Sequence, residues 1–302
     1  MQSELNYTKW EHYVPRIYYK GFSEIKKKKS KEKLLIWALN TKTLQQIDRK
    51  VDICNFCAEN DLYELKDKDG GYIARNTIEK AFGRIEAKVG TVITAIIAKS
   101  QNKNCLRCSN ILSEYDKSIL IILMTMLLFR DPNTIDYGVK IFQKLNPDMD
   151  AREARNQTLL NLLPLGIEPE WDENTIIRSA VEKYAGMEFQ IGITSNDVII
   201  TSDRPIIEWP PNEKDLFNRP QAVVSPLTSR LVLYMFPIET NQQIGRSFFF
   251  ELSEEQIKDI QFNVAVSSMA WIFSKEALTD EQLERIREGR SRWESKSGTN
   301  VD

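Results

Sequence analysis

The chain has 302 residues, 42% hydrophobic and 28% charged, with a formal net charge of −2. That length supports a substantial buried core, and the near-balanced charge excludes a protein that binds nucleic acid through overall basicity. The opening "MQSELNYTKWEHY" lacks an apolar signal-peptide core, and the longest apolar run, "ILIILMTMLLF" (119–129), has eleven residues where a membrane span needs ~20. A cytoplasmic protein with no membrane association and reduced cysteines is therefore expected.

The first informative stretch is "HYVPRIYYKGF" (12–22), which contains the only histidine. Pro15 fixes φ and removes a donor, so residues 12–15 should be extended. Proline also suits a first helical position, and Gly21 a helix end, which predicts about two turns with Ile17, Tyr18 and Phe22 turned inward. Between residues 14 and 33 eight cations face only Glu24 and Glu32. Lys26, Lys27, Lys28 and Lys29 are expected to tip a solvated hairpin loop, with contact to a nucleic-acid phosphate backbone as the alternative reading.

"KLLIWAL" (33–39) and "DICNFCAENDLYEL" (52–65) read as strands of an N-terminal sheet, and "DKDGGY" as a turn. In residues 76–99 Ile78, Phe82, Ile85, Val89, Val92 and Ile96 recur every three or four positions, which predicts an amphipathic helix. Ser113 and Asp116 form a cap signal before an apolar helix that ends near Arg130-Asp131-Pro132. Helices are also expected over 133–145 and 173–186. "MEFQIGIT" and "VIITSDRPII" read as a hairpin, followed by strands "QAVVSP" and "RLVLYMFP". Ser253-x-x-Gln256 and Thr279-x-x-Gln282 open two closing helices. The predicted class is α+β: an N-terminal hairpin or sheet, a central helical bundle, a second β segment and C-terminal helices, in one domain over 1–294 with a disordered tail at 295–302.

Three stretches together resemble the bacterial family catalogued as domain of unknown function 4238. "HYVPRIYYKGF" is similar to its His-x-Val-Pro-x-x-Tyr-Leu-x-x-Phe opening, with Tyr19 where Leu is usual. "CAENDLYEL" precedes a helix with Glu86 in "GRIEAKV". "ITSDRPII" is similar to its Thr-Ser-Asp-x-Pro segment, and "SPLTSRLVLYM" to a later Pro-Leu-Ser-Pro element whose second proline is absent here. Arg130 in "LLFRDP" fits a further segment. The resemblance spans roughly residues 10 to 275 and implies a set of positions rather than a reaction: His12, Glu86, Arg130, Ser202 and Asp203.

Two readings of those positions remain open. In the first, the protein is a hydrolase-type effector, of the kind found in phage defence or toxin systems, acting on a phosphate-containing or nucleic-acid substrate. His12 would be the acid/base, Asp203 its partner or a metal ligand, Arg130 an anion clamp, and Glu86 and Ser202 further site residues. In the second, the same residues pin the N-terminal segment to the core of a non-catalytic binding or regulatory module. One histidine excludes two-histidine nuclease and His-pair zinc chemistry, and no P-loop, GxGxxG or G-x-S-x-G motif is present. The four cysteines form two CxxC pairs, Cys54/Cys57 and Cys105/Cys108, separated by 47 residues. That pattern is compatible with a structural zinc or with free thiols. His12 is expected to be buried and bonded to the "ITSDRP" turn, with Asp203 the favoured partner.

Overall fold

The computed structural model describes residues 10–28, 31–162, 176–209, 220–238 and 247–297. In chain order the N-terminal part contains β1 (Trp10–His12), α1 (Arg16–Tyr19), β2 (Glu24–Lys28), β3 (Lys31–Asn40), β4 (Gln45–Gln46), β5 (Val51–Asp52), β6 (Ala58–Asn60), β7 (Leu65–Lys66) and β8 (Tyr72–Ile73). Among the described residues five helices follow: α2 (Thr77–Ser100), α3 (Glu114–Phe129), α4 (Pro132–Leu145), α5 (Ala151–Leu160) and α6 (Ile176–Tyr184). The remainder is β9 (Met187–Ile193), β10 (Thr201–Ser202), β11 (Ile207–Trp209), β12 (Ala222–Thr228), β13 (Leu231–Pro237), β14 (Ser247–Glu251), α7 (Glu254–Ser267), β15 (Trp271–Ser274) and α8 (Asp280–Ser297). The protein is α+β.

The helical elements follow their sequence signals closely. The six α2 positions that set its period are all buried. Ser113 and Asp116 exchange bonds as a capping box, as do Ser253 and Gln256. The run 119–129 belongs to α3, a core helix, and no single described helix is long and apolar enough to cross a membrane. Thr279 and Gln282 likewise cap α8 reciprocally, and that helix continues through residues 295–297 of the expected tail. Residues 298–302, like residues 173–175 of the fourth expected helix, lie outside the described residues.

The β part departs from the expectation. The N-terminal strands form the β2–β3 hairpin and the two small sheets β1–β6 and β7–β8, but their largest sheet is shared: β3 pairs along its length with β2, β4 and β5, and also with β15 from near the C-terminus. β10 extends that sheet beyond β15. "MEFQIGIT" and "VIITSDRPII" are consequently not a hairpin. β9 sits between β13 and β14 in a second sheet of order β11-β12-β13-β9-β14, its contact with β14 parallel. "DICNFCAENDLYEL" is not one strand either. A 3₁₀ turn at Ile53–Asn55 and a left-handed Cys57 (φ 53°) break it into β5, β6 and β7.

Candidate functional site

The segment 12–22 runs along the core. Val14, Tyr18, Tyr19 and Phe22 are sealed, and Pro15 is extended before the short α1, which passes into a 3₁₀ turn at Lys20–Phe22. The Tyr18 hydroxyl hydrogen-bonds Thr201 Oγ1 at 2.8 Å and donates to the Pro226 carbonyl. A Cβ at Gly21 would stand 2.7 Å from the Leu227 carbonyl oxygen, and the Gly21 carbonyl accepts from Ser229 N at 3.0 Å. The opening motif therefore docks on the "ITSDRP" and "SPLTSR" stretches by backbone approach, which a side chain at Gly21 would prevent.

Arg130, at the end of α3, is completely buried. Its Nη1 donates to Glu86 Oε1 at 2.6 Å, its Nε to the Tyr63 hydroxyl at 3.1 Å, and its Nη2 to the His12 carbonyl, with Glu79 Oε2 3.5 Å away. The guanidinium also lies 4.3 Å from the Phe82 ring centroid. A planar fork whose donors point several ways can join three separate segments at once, as Arg130 does here. Glu79, Phe82 and Glu86 lie three, four and seven residues apart on α2, so one helical face supplies both carboxylates and the ring between them. Sequence reasoning singled out Glu86 but passed over Glu79 and Tyr63. Glutamates interrupting an apolar helical stripe were the available signal.

The His12 carbonyl, rather than its imidazole, completes this network. The ring Nε2 is buried without a hydrogen-bond partner. Burial, reinforced by the positive charges of Arg16 and Arg130, depresses the imidazole to about 4, so His12 is neutral at pH 7. The expected pairing with Asp203 is absent. Asp203 is sealed, and its carboxylate accepts the N–H groups of Met269, Ala270 and Trp271 at 2.9, 2.7 and 3.0 Å, holding the turn that launches β15. Burial nonetheless pushes its pKa upward. Ser202 is equally committed: its Oγ donates to the Arg204 carbonyl and accepts from Arg204 N, which leaves no orienting base for a nucleophile. His12, Glu86 and Arg130 converge, whereas Ser202 and Asp203 belong to a separate cluster in which Arg204 grips Asp131 at 2.6 and 3.1 Å.

Among the described residues no group of three or more His, Cys, Asp and Glu side chains is placed to hold a metal, and all four cysteines are free. Cys54 lies in the 3₁₀ turn after β5 and Cys57 just beyond it, while Cys105 and Cys108 lie beyond the far end of α2, against β14. Cys57 is buried with its Sγ 3.1 Å from the Tyr19 hydroxyl, and burial drives its thiol pKa upward.

Next to the Arg130 network lies an open groove of about 670 Å³, lined by Arg16, Lys20, Lys31 and Lys33 against Asp52 and Glu86 among others. It follows the residue 31–34 end of β3, where one edge pairs with β2 and no described strand takes the other. Arg16 Nη2 reaches the Glu32 carbonyl at 3.4 Å. Lys26, Lys27 and Lys28 do not tip a loop. Lys26, Lys27 and Lys28 form most of the exposed edge strand β2, and Lys29 lies outside the described residues. The register sets Lys26 opposite Lys33 and Lys28 opposite Lys31. Cross-strand partners share a face, so four ammonium groups are gathered on one surface.

No curated protein and no solved structure matches the chain. The family described as Protein of unknown function (DUF4238) matches residues 11–277. That span contains the docked opening motif, Glu86, Arg130 and the "ITSDRP" turn, and the chain belongs to this family.

Proposed function

We propose that the protein is a binding module for a phosphate-bearing polyanion, nucleic acid in the first instance. The β2–β3 hairpin and its adjoining groove form the contact surface, and the Arg130 network serves as scaffold. The observation that supports this reading is the cross-strand register. Like charges directly opposite one another destabilise a strand pair, yet this hairpin carries two such pairs, and among the described residues no ion pair involves Lys28, Lys31 or Lys33. Phosphates would relieve that repulsion, releasing counterions in the process. Lysines also protect a sheet edge from pairing with another chain, and the test separates the two roles. Fluorescence anisotropy with a labelled single-stranded oligonucleotide should show salt-dependent binding. Replacing Lys26, Lys28, Lys31 and Lys33 by Gln should weaken it and lower the slope of log K against log salt by roughly one per lost phosphate contact. Absence of binding by the wild type at low salt overturns the proposal. Unchanged affinity in a variant that has begun to self-associate assigns the lysines to edge protection.

A second reading, a hydrolase of phosphate-bearing substrates, is favoured by one observation. The neutral imidazole of His12, with its unpartnered Nε2, feels the charges of Arg16 and Glu86, both of which line the groove. On that reading His12→Ala abolishes turnover of a bound substrate while leaving its affinity intact.

A further inference from the structure

Helix α2 carries two interior glycines, Gly83 and Gly90, although glycine weakens a helix interior. At Gly90 the packing supplies a reason. A Cβ there would stand 2.9 Å from both Cγ1 and Cδ1 of Ile17, so α1 is seated against bare backbone. At Gly83 no such reason exists: among the described residues nothing lies within 4 Å of the place a Cβ would take. Gly83, Ala87 and Gly90 are spaced by four and three residues and share one face of the helix. Gly83 and Ala87 are exposed, and both line the open groove beside the Arg130 network, as does Ile17. The strip of small residues is thus filled by Ile17 at one end and left clear at the other.

Other parts of the lining are charged. Arg16, Lys31 and Lys33 have no ion pair among the described residues, and Arg16 Nε is buried without a hydrogen-bond partner. Lys20 is already held by Glu32 at 2.8 Å. Asp52 caps the turn after β5 through Cys54 N, and Glu86 grips Arg130. The free cations can hold a phosphate, whereas the two carboxylates repel further negative charge nearby. The rest of the ligand should therefore be uncharged. The bare backbone at Gly83, the Ala87 methyl, Ile17 and Leu34 offer it an apolar surface. The volume of about 670 Å³ falls within the roughly 300–1,000 Å³ of small-ligand sites. A phosphate joined to a flat uncharged ring describes a nucleotide. We propose that the groove receives one nucleotide of a single-stranded nucleic acid, its phosphate on Arg16, Lys31 and Lys33 and its base laid over Gly83 and Ala87. This rests on the polyanion reading and deepens it. The hairpin lysines hold backbone whatever the bases are, and the groove adds a contact that only an unstacked base can make.

Two labelled oligonucleotides of equal length, one ordinary and one built wholly of abasic units, separate the two contributions. By fluorescence anisotropy the wild type should bind the ordinary strand about fivefold more tightly, the low end for a base laid on a protein surface because the floor here is aliphatic. Gly83→Leu should remove that preference by covering the floor, and leave affinity for the abasic strand as it was. Leucine is a strong helix former, and its Cβ enters open space. The urea midpoint of Gly83→Leu should therefore rise while its affinity for the ordinary strand falls, which unfolding could not produce. Equal wild-type affinity for the two strands overturns the inference and leaves the polyanion reading standing. So does a preference retained in Gly83→Leu or, should that variant fail to fold, in Ala87→Leu, which fills the same floor one turn on. Binding of neither strand by the wild type overturns both.

Discussion

Arg130 and Asp203 stand in two regions that the family motifs mark alike, and both are sealed, but they hold the protein in different ways. Arg130 joins groups from β1, the 61–64 turn and two positions on α2. Asp203 serves three consecutive N–H groups of one turn. The first is a junction of elements distant in sequence, whose loss strands charges. The second is a local cap, whose loss strands backbone donors. A buried ionic junction is weak evidence of net stabilisation, but removing one partner alone is costly.

The largest effect should therefore come from Arg130→Met. It leaves Glu79 and Glu86 facing an apolar side chain and frees the His12 carbonyl. Because both carboxylates keep about a quarter of their side-chain exposure, the loss should sit near the lower end of the 3–5 kcal/mol typical of broken buried pairs, about 3 kcal/mol by urea denaturation. Arg130→Lys should recover only part of this, since a single ammonium cannot reproduce the fork. A loss below about 1 kcal/mol would show that Arg130 is not the junction described, because that is the scale of a single neutral hydrogen bond.

Asp203→Asn sharpens the contrast. Asparagine keeps one acceptor oxygen and turns an amide toward N–H groups, so at least one buried donor is stranded, at a cost of about 1–3 kcal/mol. A change equal to that of Arg130→Met would erase the distinction between junction and cap.

A third charged centre is neither sealed nor internal to one motif. Asp197 accepts from the Ser229 hydroxyl, from Arg230 at 2.9 and 2.8 Å, and from Lys275 at 3.1 Å. Arg230, with Ser229 and Lys275, holds its carboxyl well below the ordinary range. A lowered folded pKa contributes stability above the unfolded value, near 4, and that contribution is lost as pH falls below it. The midpoint temperature should drop on acidification below pH 4, and Asp197→Asn should flatten that acid arm. An acid arm preserved in the variant would assign it to other carboxylates.

These centres also mark what could be read from residue order. Helix α2 carries its period within its own sequence, and α3 and α7 carry their caps, and both kinds of signal were legible. α5 was missed although Asp150 caps it through Glu153 N at 2.7 Å, because its sequence "AREARNQTLL" has little apolar periodicity. β14 and β15, "SFFFE" and "WIFS", are short, and what makes them strands is pairing with β9 and β3. Alternation reports which face is buried but not which strand lies alongside, so neither the merged sheet nor the parallel β9–β14 contact could be read locally. The same limit misassigned Asp203: its charge and apolar flanks predicted a partner, but the turn that supplies it lies sixty-six residues on.

The smallest expected effect concerns the region least like Arg130, the exposed β2–β3 face, where lysines stand opposite lysines across the two strands. Lys33 faces Lys26 in the register, and Lys26 has a salt bridge to Glu24 on its own strand at 3.4 Å. Lys33→Glu converts a repelling cross-strand pair into an attracting one. It should therefore stabilise the protein by about 0.2–1 kcal/mol at low ionic strength, and less in high salt, because the pair lies in solvent within reach of screening. The same substitution removes a cation from the lysine face and adds an anion, so oligonucleotide affinity should fall as stability rises. Opposite movement of the two quantities is what separates a surface organised for binding from one that only blocks edge pairing. If Lys33→Glu leaves affinity unchanged, or lowers stability at low salt, the lysine register is not the strained, ligand-relieved surface proposed for it.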